Sequence, residues 1–465
     1  MKIKIIVLII SLVSARFLSA QTQYFKAGEV DCSPTMQNYG GMTPIVKPWN
    51  STYTVAIHRD ASATRITIMD YTNIKNSFFP VYVPTLNFPT RYIDLPPTCT
   101  INDYAIDNGV LYYCGSEQIN DSTYRSVVGR INIFPTGNLQ HYRFYLPIVT
   151  DLKKIIVYRP SSGGTINIAL TGTMSAFASL KTSVLVEIKS LSLSGGSYTV
   201  LALPNQEYID EMLLVGDKIV TAGRINTGTK DEIRMRICDA DNMLGTASTI
   251  STVYAYPSST TEPNAGLYGT RISDNTFALS YIWIDASGNK KIRVRRFNSS
   301  TMANTSSVQF ATTEKDEPLV MAALPQTGVL ALLQPQTNST TLYAIPLQLN
   351  PFSNNVKAFS FGTTAYKGMA CAWSGNPTST STQEILALSS GDGWFWFNIY
   401  HPYATFNPIP SNACSSASSK SLSSISNLTV QSSTTNTPHN SYNYYNSPKS
   451  AVQGTANPVA NCVSY

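Results

Sequence analysis

A turn followed by a short apolar strand recurs seven times along this chain at a nearly constant interval. The unit begins at Tyr53, Gly109, Thr165, Asp217, Asn275, Thr327 and Gln383, so successive copies lie 56, 56, 52, 58, 52 and 56 residues apart. The units are dense in Val, Ile, Tyr, Phe and Thr, and helical periodicity is nearly absent. Each interval has room for four strands. The clearest runs Tyr104–Asp107, Val110–Gly115, Ser126–Phe134 and Tyr142–Pro147, and the next runs Lys153–Tyr158, Thr165–Leu170, Ser183–Leu193 and Ser197–Leu203. Between strands, Asn108-Gly109, Gly216-Asp217 and Asp285–Asn289 supply the residues that tight turns need.

Four antiparallel strands per period, repeated seven times, predict an all-β propeller of four-stranded blades. Six or eight blades also fit the count. In this pattern residues 51–410 resemble secreted seven-bladed β-propeller proteins, and the resemblance implies a fold, not a named family. No WD or kelch signature accompanies it. The first period lacks an obvious inner strand, and the last stops after Trp394–Tyr400. A strand from residues 21–50, where Tyr24-Phe25-Lys26 lies, is expected to complete the last blade and close the ring.

Residues 1–20 read as a cleaved signal peptide. Lys2 and Lys4 precede the apolar run Ile5–Val13, and Leu18-Ser19-Ala20 offers a small residue before Gln21. The short basic start and the Gln after the cut resemble exported proteins of Bacteroidetes. The expected location is therefore secreted, cell-surface or periplasmic, and no later segment is apolar enough for a membrane span. Removing Lys2, Lys4 and Arg16 leaves 30 basic against 27 acidic residues. That balance does not point to nucleic acid. Charged residues make up only 13% of the chain, against 43% hydrophobic. Apolar surface is ample, so charge-driven disorder is excluded for most of the length.

Seven cysteines follow the leader, with no C-x-x-C and four His in the whole chain, so a zinc cluster is not expected. Cys414 and Cys462 bracket the polar tail and are the candidate disulfide. Cys99 and Cys114 are not, because a two-residue turn at Asn108-Gly109 places Asp107 opposite Val110 and Cys114 opposite Asp103. Residues 411–465 form a Ser/Thr/Asn-rich tail whose composition does not order itself. It reads as a flexible stalk, or as a tail wrapped on the ring.

Candidate chemistry is sparse. Asp239, Asp241 and Asn242 offer oxygens to a hard cation but lack the Gly and Glu of a calcium loop, so an ordinary turn is the favoured reading. Ser390-Gly-Asp392-Gly-Trp394 departs by one residue from the Asp-box of sialidase-type propellers. Trp394, Trp396 and Tyr400 can stack on sugars, although the alternating run also suits a strand buried on both faces. Arg293 with Arg295, like Arg234 with Arg236, lie two apart on one strand face, where an anion can be held. Exposed outer-strand arginines are the commoner explanation. His58-Arg59-Asp60 matches a kinase triplet without the loop that should follow, and no G-x-S-x-G elbow occurs. The expectation is a non-catalytic propeller without a cofactor that binds a glycan or an extracellular or envelope protein. A glycoside hydrolase or lyase with its site in the central funnel is the alternative, and a structural envelope component the second.

Overall fold

A computed structural model describes residues 90–311, with short breaks at 122, 134–139, 162, 178–179, 192–195, 204–206, 228–230, 245–247 and 257–265. Outside that range it describes the strands named below, together with Trp49. The signal-peptide reading and Cys414 lie outside the described residues.

Among the described residues the strands form six hydrogen-bonded sheets, one of nine strands that divides into two meanders, giving seven four-stranded blades. Blade 1 comprises Ile45–Pro48, Tyr53–Arg59, Thr64–Asp70 and Thr90–Leu95. Blade 2 comprises Cys99–Asp107, Val110–Asn120, Thr123–Asn132 and His141–Tyr145. Blade 3 follows with Val149–Tyr158, Asn167–Phe177, Leu180–Ile188 and Gly196–Ala202, and blade 4 with Glu207–Val215, Lys218–Asn226, Asp231–Asp239 and Ser248–Ala255. Blade 5 is Leu267–Ser273, Thr276–Ile284, Lys290–Asn298 and Asn304–Ala311, and blade 6 is Val320–Leu324, Gly328–Leu333, Thr341–Gln348 and Lys357–Ser360. Blade 7 takes Gly368–Gly375, Gln383–Ser390 and Trp394–His401 from the end of the repeat, and its fourth strand is Tyr24–Val30 from near the start. The innermost strands of blades 1 and 7 pack together, so the ring closes. Each of the seven recurring units falls within two residues of the start of a second strand.

The C-terminal stretch adds a further strand to most blades. Ser423–Ser424 pairs with the outermost strand of blade 5, and Gln431–Thr435 with that of blade 4. His439–Asn446 bridges blades 3 and 2, Val452–Ala456 extends blade 1, and Pro458–Ser464 extends blade 7. The chain thus runs back around the rim against the order of the blades. Among the described residues, blade 6 alone keeps an outer strand without such a partner.

Apolar runs become strands buried on both faces because alternate side chains enter opposite seams. Leu111, Tyr113, Val127 and Ile131 pack toward blade 1, whereas Tyr112, Cys114, Val128 and Phe144 pack toward blade 3. Two further clusters fill the seams between blades 3 and 4 and between blades 4 and 5. At Asn108-Gly109 both residues have positive φ, 45° and 75°, as a two-residue hairpin turn requires. The resulting register pairs Asp107 with Val110 and Asp103 with Cys114, and Cys99 faces Glu117. Cys99, Cys114 and Cys238 are buried and are not joined in disulfides. No helix among the described residues is long and apolar enough to cross a membrane.

Candidate functional site

The innermost strands of blades 2, 3 and 4 share a device invisible in the repeat pattern. Each carries one extra residue, Asn102, Lys153 or Asp210, that bulges out of its pairing with the second strand. The residue just before each bulge pairs with a glycine: Ile101 with Gly115, Leu152 with Gly172 and Ile209 with Gly223. A Cβ on these glycines would stand 1.9 Å from Thr100 O, 2.7 Å from Asp151 O and 1.7 Å from Tyr208 O. The bulge drives the carbonyl into that space, so only glycine fits opposite it. Bulges re-aim the side chain that follows, and here those side chains are Asp103, Lys154 and Glu211.

These three charges rivet neighbouring blades. Lys47 of blade 1 lies 2.6 Å from Asp103 Oδ1, and the Ile155 N–H of blade 3 donates to Asp103 Oδ2 at 3.1 Å. Lys154 Nζ lies 3.0 Å from Glu211 Oε1, and the Gly269 N–H of blade 5 donates to Glu211 Oε2 at 3.2 Å. Burial alone would lower the Lys154 pKa, but the carboxylates of Glu211 and Asp103 outweigh it and hold the ammonium above its ordinary value. Asp103 and Glu211 are 4% and 6% exposed, so both carboxylates of the belt are buried as well as paired.

The upper face of the ring carries the starts of the innermost strands and the turns between second and third strands. Three large hydrophobic side chains are exposed among the described residues: Ile119 at 54%, Tyr124 at 57% and Tyr208 at 44%. All three lie at this end, on the second and third strands of blade 2 and at the start of blade 4. Beneath Ile119 and Tyr124, the buried Glu117 accepts from Arg143 Nη1 at 2.6 Å, Arg125 Nη2 at 3.0 Å and the Tyr145 hydroxyl at 2.7 Å. The Arg125 guanidinium also covers the Tyr145 ring, 3.4 Å from its centroid. The platform is therefore held rigidly from below. Nearby, the Tyr113 hydroxyl lies 2.9 Å from His141 Nε2. Burial and the neighbouring Cys99 raise the Tyr113 pKa, so this phenol stays protonated and is not poised as a base.

The candidates from the sequence are scattered. Trp394 opens the third strand of blade 7 at the upper face, with Trp396 and Tyr400 further along it, and their backbone pairs with Val30, Gly28 and Tyr24. Asp239, Asp241 and Asn242 sit at the opposite face and do not converge. Lys218 pairs with Asp239, and Asp241 accepts from the Ser161 side chain and N–H, which lowers its pKa. No group of three or more metal-ligating side chains occurs among the described residues. Cys462 lies on a strand opposite Ala27. The expectation of exposed outer-strand arginines is corrected: Arg236, Arg293 and Arg295 are at most 2% exposed. They sit on third strands, whose faces are covered by the adjoining blade. The belt and the upper-face hydrophobics had no sequence signal beyond Ile-Asn-Asp, Leu-Lys-Lys and Ile-Asp-Glu at matching places in three periods.

No protein-family model matches this chain, and no curated protein matches it. Among solved structures, the WD40 domain of Toxoplasma gondii coronin is 11% identical, with a TM-score of 0.40 over 83% of this chain and 86% of that one. The polysaccharide lyase Uly1 is 8% identical, with a TM-score of 0.44 over 82% of this chain and 97% of that one. At such distances neither resemblance says what this chain binds or does.

Proposed function

We propose that this is an exported, non-catalytic propeller that binds a glycan or an extracellular or envelope protein across its upper face. The observation that carries the reading is the placement of Ile119, Tyr124 and Tyr208. Singly exposed apolar residues are ordinary, but all three of the described ones share one face. Tyrosine offers a flat apolar ring with a polar tip, suited to sugar rings and to protein interfaces. Asp103 and Glu211 are each held by a lysine ammonium and a backbone N–H, which suits a structural role for these two carboxylates.

The test is a thermal-shift screen of the chain starting at Gln21 against oligosaccharides and polysaccharides, with each saccharide recovered afterwards. A ligand of the native state alone raises the melting point. The reading expects a shift with the saccharide intact, and the shift should shrink in Tyr124→Ala or Tyr208→Ala while the unliganded melting point stays put. Shortened or unsaturated products would establish a hydrolase or lyase in its place. Silence across the panel directs the same screen to protein partners from the cell envelope. Silence there too would overturn binding in favour of a structural role.

A further inference from the structure

The seam between blades 4 and 5 concentrates buried hydrogen-bond donors that have nothing to donate to. Arg293 Nε and Nη1, Arg295 Nε and Nη2 and Trp283 Nε1 are buried without a hydrogen-bond partner, and the buried Tyr281 hydroxyl lies against the Arg293 guanidinium. Arg293 and Arg295 are 2% and 0% exposed, and neither guanidinium meets a carboxylate among the described residues. The other deeply buried arginines differ in this respect, since Arg143 is paired with Glu117 and Arg236 with Glu207. An arginine stays protonated in a protein. Two adjacent buried guanidiniums therefore concentrate positive charge where water does not screen it, and an anion is the species that relieves this.

The geometry suits an oxyanion. Val253 O of blade 4 holds Arg295 Nη1 at 2.7 Å. The other edge of that guanidinium, Nε with Nη2, is the fork that takes two oxygens of a carboxylate, sulfate or phosphate group side-on. Arg293 lies over the Trp283 ring, 3.4 Å from its centroid, which fixes its plane. Tyr254 closes the blade 4 side. Its hydroxyl donates to Ile284 O at 2.9 Å and accepts from the Ile284 N–H at 3.2 Å, and its ring lies 6.3 Å from those of Tyr281 and Trp283. Trp283 and Tyr254 are half-buried and stand toward the upper face, so the cluster grades from the surface to Arg295.

We infer that this seam is an oxyanion-binding site, with Arg295 as the fork, Arg293 as the second cation, and Trp283 and Tyr254 as its entrance. The ligand class is a phosphate, sulfate or carboxylate group, and the inference stands independently of the proposed upper-face ligand.

Trp283 makes the site readable. Inorganic phosphate, sulfate and acetate are titrated into the full chain, with chloride holding ionic strength constant, while tryptophan emission and melting temperature are followed. Expected is a saturable emission change and a melting-point rise that follow one isotherm for at least one oxyanion and are absent with chloride. The rank among the three then identifies the group. Trp283→Phe should abolish the emission change and keep the melting-point rise. Arg293→Gln should abolish or strongly weaken both. If Arg293→Gln does not fold, Arg293→Lys keeps the charge but loses the planar guanidinium that stacks on Trp283, and should shift half-saturation to higher concentration. A response that never saturates, or that matches chloride, overturns the site. So does a saturable response that neither Arg293 variant changes.

Discussion

Asp285 shows how one side chain stabilises a hairpin of this ring and makes it sensitive to acid. Its Oδ1 accepts the N–H groups of Ser287 and Asn289, both at 2.9 Å, and Lys291 Nζ lies 2.8 Å from Oδ2. Lys291 first, and then the Asn289 N–H, lower its pKa to about 2. Because the folded value lies below the ordinary one of about 4, this contribution is present above pH 4 and is lost as pH falls toward 2. Asp285→Asn should therefore lower stability at neutral pH and flatten the stability change between pH 4 and pH 2, measured by urea titration at each pH. An unchanged acid slope would refute the assignment. The Asp285–Asn289 turn was legible in the sequence because an Asp at the head of a Ser-Gly-Asn turn has few other uses. The burial of Arg293 and Arg295 was not, since two-residue spacing says which side chains share a face but not what covers it.

At the scale of the element, the second strands were the readable part, and their spacing located all seven. Continuous apolar runs such as Thr276–Ile284 are required where both faces are buried, and each is bounded by turn residues. The innermost strands were harder to read. A bulge breaks the two-residue alternation that identifies a strand, and blade 1 contributes only Ile45–Pro48. The glycines opposite the bulges carry a direct prediction. Gly115→Ala and Gly223→Ala each force a methyl group onto a backbone carbonyl, and overpacking of this kind typically costs about 1–3 kcal/mol, sometimes more. Gly172→Ala, whose Cβ has 2.7 Å to the nearest atom, should cost less than the other two. Chemical denaturation of the three variants gives the order, and equal stabilities would show that the bulges do not need glycine.

Over the whole molecule, two chain ends complete what the repeat leaves open. Tyr24–Val30 supplies the fourth strand of blade 7, and among the described residues the C-terminal stretch lies along the outer edge of every blade except blade 6. Composition could not place that stretch, because Ser, Thr and Asn give it no core of its own, and the order comes from pairing with edges already built. Exposed sheet edges promote association. Deleting residues 411–465 is therefore expected to leave a strand-rich circular dichroism spectrum, lower the melting point and cause concentration-dependent self-association in sedimentation velocity. A monomer with an unchanged melting point would show that the rim strands contribute nothing.

Asp103, Lys154 and Glu211 tie the innermost strands of neighbouring blades together. Glu211→Gln keeps the size of the side chain but removes the charge that meets Lys154 and the Gly269 N–H. Breaking one partner of a buried pair costs about 3–5 kcal/mol. Because the Lys154 and Lys47 side chains are 25% and 38% exposed, Glu211→Gln should cost less than that and Asp103→Asn less still, and the melting temperature of both should fall. Functional sites behave in the opposite way, because they are held at a cost to stability and replacing their charges often stabilises the fold. A melting temperature that stays level or rises in both variants would show that these charges do not hold the blades together.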